Sequence, residues 1–153
     1  MIEFKKKLPI DDVLDELIIS MQKYNHAVLQ APPGAGKTTR IPVALLDSDL
    51  YQKKIIMLQP RRLAVRSAAS RLAQHYGDQL GQTVGYRMRG ESRTSKITRI
   101  EVVTEGVLIK MIQNDPELNG IDCIIFDEFH ERSLNADLGL TLCLEISSEI
   151  REG

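Results

Sequence analysis

With 153 residues, 42% of them hydrophobic and 27% charged, the chain has the length of one ordinary domain and enough apolar material for a sizeable core, which excludes collagen-like, low-complexity and disordered classes. No apolar run approaches the roughly 20 residues that span a bilayer, and residues 1–7 carry charge instead of leading into a signal-peptide core, so a cytoplasmic protein with no membrane partner is expected. The formal net charge of −1 hides two opposite fields: residues 59–99 hold nine basic residues, eight of them Arg, against Asp78 and Glu91, and the rest of the chain is acidic by eight charges.

Ile10, Val13, Leu14, Leu17, Ile18 and Met21 recur at helical spacing after Pro9, which predicts an amphipathic helix over residues 10–23. A short apolar run at 26–30, a Pro- and Gly-rich loop and a helix over 37–46 then read as strand, loop, helix. The unit repeats with a strand at 54–58 and an Ala/Arg/Leu-rich helix at 63–76 closed by Gly77. Residues 84–88 and 97–104 alternate as strands should, and 106–113 forms a short helix ended by Asn114-Asp115-Pro116. The near-continuous apolar run 121–126 suits a parallel strand buried on both faces, and helical periodicity returns over 134–150. Strands alternating with helices predict one α/β domain with a mostly parallel central sheet.

Cys123 and Cys143 lie in apolar stretches without C-x-x-C spacing, so buried reduced thiols are expected, not a disulfide or a zinc site. His26 and His75 are isolated and read as structural. The arginine-rich stretch suits an anionic polymer, because the guanidinium fork matches phosphate and keeps its charge; a solvated charged face is the plainer reading.

Ala31-Pro32-Pro33-Gly34-Ala35-Gly36-Lys37-Thr38 lies between a predicted strand and a predicted helix, the context in which a phosphate loop is credible. Gly34 and Gly36 let successive N–H groups point into one concavity, and the helix N-terminus adds partial positive charge there. Pro33, Gly34, Ala35, Gly36, Lys37, Thr38 and Thr39 are therefore the candidate contacts for a nucleoside triphosphate such as ATP. Lys37 can reach the β- and γ-phosphates of such a ligand, and the Thr38 hydroxyl can ligate Mg²⁺. The pattern departs from G-x-x-x-x-G-K-[ST] at its first position, Ala31.

Asp127-Glu128-Phe129-His130 follows the apolar run directly, placing Asp127 at the carboxyl end of a sheet strand, where ligands of open α/β folds bind. Asp127 is the second candidate metal-holding residue, and Glu128 is the candidate polariser of the water that attacks the γ-phosphorus. Taken alone, two acids after an apolar run read equally well as the start of a helix. A zinc-protease reading fails, because no second His follows His130-Glu131 at helical spacing.

APPGAGKTTR, QPRRLAVRSAASR, VGYRMR, VTEGVLI and DEFHERSL stand in the order and spacing of the superfamily 2 DEAH-box RNA helicases, which the chain resembles over most of its length. The resemblance implies a three-layer α/β/α RecA-like domain, with single-stranded RNA as partner and DNA as a possible one. It implies that Arg61, Arg62, Thr104 and Glu105 line the groove for the nucleic acid backbone, and that Arg71 stacks on the nucleotide base. It also implies that His130 couples the nucleotide site to that groove.

The family's Ser-Ala-Thr and Q-x-x-G-R-x-G-R motifs do not occur in these 153 residues. The expectation is a first RecA-like domain over residues 1–153, stopping short of the Ser-Ala-Thr strand, with a second RecA-like domain and its arginine fingers as partner in a longer chain. In this fold the Ser-Ala-Thr strand lies between the phosphate-loop strand and the acidic-box strand. Two other readings stay open at this point: a stand-alone nucleotide-binding module acting on a protein partner, and a small-molecule kinase, for which no acceptor pocket or lid is legible.

Overall fold

The computed structural model describes residues 6–151; residues 1–5, with most of the segment read as carrying charge at the start of the chain, and the last two residues lie outside that range. β1 (Lys54–Gln59), β2 (Val84–Met88), β3 (Glu91–Arg93), β4 (Ile100–Thr104) and β5 (Ile121–Phe126) form one sheet in the order β3-β2-β4-β1-β5. All neighbours run parallel except β3, which folds back antiparallel on β2. Successive residues of a strand face opposite sides, and the register of β1 on β4 pairs Ile55 with Ile100 and Ile56 with Glu101.

Each face therefore gathers its own core. Ile55, Met57, Ile100, Val102 and Val84 meet Val65, Ala68, Ala69 and Leu72 of α3 (Arg62–Tyr76) and Val43 of α2 (Lys37–Asp47). Ile56, Leu58 and Val103 meet Leu108 and Ile112 of α4 (Glu105–Asn114). Helix α1 (Leu14–Tyr24) flanks the first face through Ile18 and Met21, and α5 (Leu134–Glu145) flanks the second through Leu142 and Cys143. Helices on both sides of a mostly parallel sheet make the three-layer α/β/α arrangement. Each fully buried Val, Leu or Ile contributes about 1.5–3 kcal/mol, and β1 is apolar on both sides from Ile55 to Leu58.

Several local expectations are corrected. Residues 26–30 form no strand, and Val28 is 99% exposed. A lone extended segment has no ladder partner for its N–H and C=O groups, and the strand order among the described residues ends at β5 without a neighbour on that side. For the same reason β5 is not buried on both faces: Ile124, Ile125 and Phe126 are partly exposed. The fourth strand starts at Ile100 rather than residue 97, because Thr98 is used in a turn, accepting from Ser95 N–H at 2.9 Å and donating to Gln82 O at 2.6 Å. The last helix changes to π-helical turns at Ile146–Ile150, and the first is preceded by a 3-10 turn, Pro9–Val13. The short strand β3 was not expected from the sequence; its three polar residues carry no alternation.

Candidate functional site

The carboxyl ends of β1, β4 and β5 bring Gln59, Thr104 and Asp127 to one edge of the sheet, and α2 begins beside them. Gly34 at φ 77° and Gly36 at φ 98° occupy the left-handed region that residues with a Cβ rarely adopt. They turn the chain into α2, whose first N–H groups, beginning at Lys37, have no acceptor within the helix. Lys37 folds back across the loop and donates from Nζ to Ala31 O at 3.1 Å. At the position where the motif departs from Gly, the structure thus uses only the backbone carbonyl.

Asp127 lies opposite. Its Oδ2 accepts from Thr38 Oγ1 at 2.6 Å and from Gln59 Nε2 at 2.5 Å, and its Oδ1 accepts from the Glu128 N–H at 3.0 Å. Gln59, 3% exposed, was missed in the sequence; its signal was a polar residue closing an apolar strand. Glu128 has φ 55°, a left-handed conformation costing a non-glycine residue roughly 1–2 kcal/mol. Phe129 packs edge-on to Phe126 with ring centroids 6.1 Å apart, holding the strained turn against the end of β5.

His130 Nε2 lies 3.1 Å from Glu128 Oε2, and Glu131 Oε1 accepts from Arg61 at 2.6 Å. One ligand atom each of Glu128, His130 and Glu131 lies within 4.8 Å of the others. An open cleft of about 240 Å³ joins these parts, lined by Thr38, Gln59, Pro60, Arg61, Arg71, Glu128 and Glu131 among others. The structure therefore brings Arg71 of α3 into the same cleft as the phosphate loop and the acidic turn. Thr39 and Ala35 are buried beneath the loop, whereas Pro33 and Gly34 are exposed on it.

The two adjacent arginines diverge. Arg61 enters the cleft and pairs with Glu131, whereas Arg62 donates to Arg89 O at 2.9 Å, on the hairpin of β2 and β3. That hairpin is pinned to α3 by Glu91, which accepts from Tyr86 Oη at 2.5 Å and from Arg66. The Arg66 bond, then the Tyr86 bond, hold the Glu91 carboxyl below its ordinary range. Thr104 stands at the N-cap position of α4 without a side-chain cap bond, and the neighbouring Glu105 accepts from Ser133 Oγ at 2.8 Å, while Ser133 caps α5 by accepting from the Ala136 N–H at 3.0 Å. The candidate groove residue Glu105 is thereby tied to the segment leaving the acidic turn.

Hard oxygen donors suit Mg²⁺, and the Thr38 hydroxyl and Asp127 carboxylate, already in contact, form such a pair. Burial pushes the Cys123 and Cys143 thiols up to about 11, and both are free of disulfides. Among the described residues no helix is long and apolar enough to cross a membrane.

Residues 12–141 match the sequence model of the DEAD/DEAH box helicase family. The chain is 50% identical over 145 residues to the ATP-dependent RNA helicase HrpB of Escherichia coli, covering 95% of this chain and 18% of that protein. It is 42% identical to the ATP-dependent RNA helicase HrpA of Borreliella burgdorferi, covering 92% of this chain and 17% of that one. A crystal structure of the E. coli DExH-box NTPase HrpB superimposes with a TM-score of 0.92 at 49% identity, over 97% of this chain and 18% of that one. The chain thus spans less than a fifth of the length of these relatives. Matched by the family's model over all but its ends, and sharing the HrpB fold at half sequence identity, the chain belongs to the DEAD/DEAH box helicases.

Proposed function

We propose that this chain is the nucleotide-binding half of an ATP-dependent RNA helicase, a first RecA-like domain that binds Mg-ATP and presents one side of a groove for single-stranded RNA. The observation that carries the reading is the convergence of Lys37, Thr38, Asp127 and Glu128 on one edge of the sheet, with Thr38 and Asp127 bonded across 89 residues of sequence. In this reading the loop amides and Lys37 bind the β- and γ-phosphates, and Arg71 stacks on the base from the far wall of the cleft. Thr38 and Asp127 would hold Mg²⁺, which when bound neutralises charge on the phosphates. Gln59 keeps the Asp127 carboxylate turned toward Thr38. Glu128 orients the attacking water and accepts its proton, and His130, 3.1 Å from it, couples the nucleotide site to the nucleic acid groove.

Arg61, Arg62, Thr104 and Glu105 serve the nucleic acid backbone in this account, with affinity from charge and little base information. A second RecA-like domain supplies the other wall of the groove and the arginines that stabilise charge on the γ-phosphate. The two free thiols fit a reducing, cytoplasmic setting. The test is a fluorescent-ATP titration beside circular dichroism. Lys37→Ala is expected to abolish binding while the spectrum stays unchanged, since the side chain packs little. Unchanged affinity would sink the assignment of the loop.

A further inference from the structure

The 3-10 turn Pro9–Val13 stands outside the sheet and lies behind the phosphate loop. Ile10, 1% exposed, donates its N–H to Ala35 O at 3.1 Å, joining the turn to the middle of the loop. Leu8 fills the space that a side chain at Gly36 would need: a Cβ there would stand 2.5 Å from Leu8 Cδ1 and 3.2 Å from Ile10 Cγ2. Gly36 is thus required for its φ and for this close approach together.

A third link is ionic. Arg40 sits one turn into α2 and is 2% exposed, with Nε 3.2 Å from Asp11 Oδ1 and a terminal nitrogen donating to Lys6 O at 2.5 Å. Asp11 Oδ2 in turn accepts from the Leu8 N–H at 2.7 Å. A guanidinium taken out of water demands a partner in a fixed place, so this pair sets the register of the turn against α2. Residues 26–30, which lead into the loop, carry no strand. Amides that cradle an anion bind well only if they are held in place before the ligand arrives, since otherwise binding must also order them.

We propose that residues 8–11, with Arg40, form a clamp that preorganises the phosphate loop, making Ile10 and Asp11 positioning residues for nucleotide binding. Neither touches the nucleotide; they act through Ala35, Gly36 and the first turn of α2. The inference rests on the nucleotide reading of the loop and goes beyond it by giving the segment before the domain's first helix a part in affinity.

The test uses fluorescent ATP on the 153-residue chain, with affinity, release rate and hydrogen exchange measured together. Asp11→Asn, which keeps the shape of the side chain, and Ile10→Ala are each expected to weaken nucleotide binding about tenfold through faster release. Exchange should quicken at the amides of residues 34–38 while β1 and β4 stay as protected as in the parent, and Ile10→Val should restore binding. If Ile10→Ala does not fold, Asp11→Asn carries the test alone. Parent-like affinity in the folded variants overturns the clamp, as does exchange that rises as much in β1 and β4 as in the loop. If the parent binds no nucleotide, or Lys37→Ala binds as well as the parent, the loop reading fails and the clamp with it.

Discussion

Thr38 donates its hydroxyl to Asp127 Oδ2 at 2.6 Å, so the first turn of α2 and the end of β5 meet at a single carboxylate oxygen that Gln59 also holds. Two residues acting through one ion should be non-additive when both are removed. The parent is expected to bind fluorescent ATP more tightly in Mg²⁺ than in EDTA, and Thr38→Ala or Asp127→Asn should each remove most of that difference. The double variant should be little worse than either single one. Additive effects measured in this four-variant titration would separate Thr38 from Asp127 and remove the shared-ion account.

Glu128 should matter for turnover and not for binding. In a protein of the relatives' full length, Glu128→Gln is expected to bind ATP as the parent does and to lose phosphate release by at least about 10², because an amide cannot take the water's proton. The chain described here should bind ATP yet hydrolyse it near background, with or without RNA. An arginine finger is worth roughly 10³–10⁵ in related nucleotide hydrolases, and in this reading it comes from the second domain. RNA-stimulated phosphate release by the 153-residue chain would contradict the proposal.

The divergence of Arg61 and Arg62 gives the two residues separable phenotypes. Removing one cation that neutralises a phosphate lowers the salt dependence of single-strand binding by about 0.7 in logarithmic slope, so the double alanine variant should bind RNA more weakly and with a flatter salt response. Arg61→Ala should in addition change nucleotide affinity, since Arg61 lines the cleft and pairs with Glu131, and Arg62→Ala should not. Filter binding across a salt series, beside the nucleotide titration, distinguishes them.

Stability should fall at both ends of the pH scale, for opposite reasons. The carboxyls of Glu91, Asp137 and Asp78 are held below their ordinary range, chiefly by bonds from Arg66, Arg132 and Thr83 respectively. A carboxylate depressed in the folded state stabilises above its unfolded value of about 4 and loses that contribution as pH falls through the folded value. The melting temperature should therefore hold steady down to about pH 5 and decline below about pH 4. The thiol of Cys123 has the other sign: burial raises it from 9.0 to about 11. Above pH about 9 the unfolded chain gives up this proton and the folded chain keeps it, so stability declines toward pH 11. Thermal melts of the parent and of Cys123→Ala test both limbs, the variant losing part of the alkaline decline.

Most of the fold was written in local pattern. Short apolar runs gave β1 and β5, alternation gave β2 and most of β4, and 3.6-residue periodicity gave α1 and α5, because which face a residue presents depends only on its neighbours along the chain. The phosphate loop and the acidic turn were legible for a similar reason: each packs its chemistry into a few consecutive residues. Tertiary structure alone decided the rest. Whether residues 26–30 join a sheet depends on a neighbouring strand, not on their own apolar character. The bond of Gln59 to Asp127, the pairing of Arg61 with Glu131 while Arg62 turns to Arg89, and the burial of Arg40 against Asp11 join residues up to 70 positions apart in sequence. Side-chain direction at such meetings is fixed by how strands register and helices pack, and no local spacing encodes that.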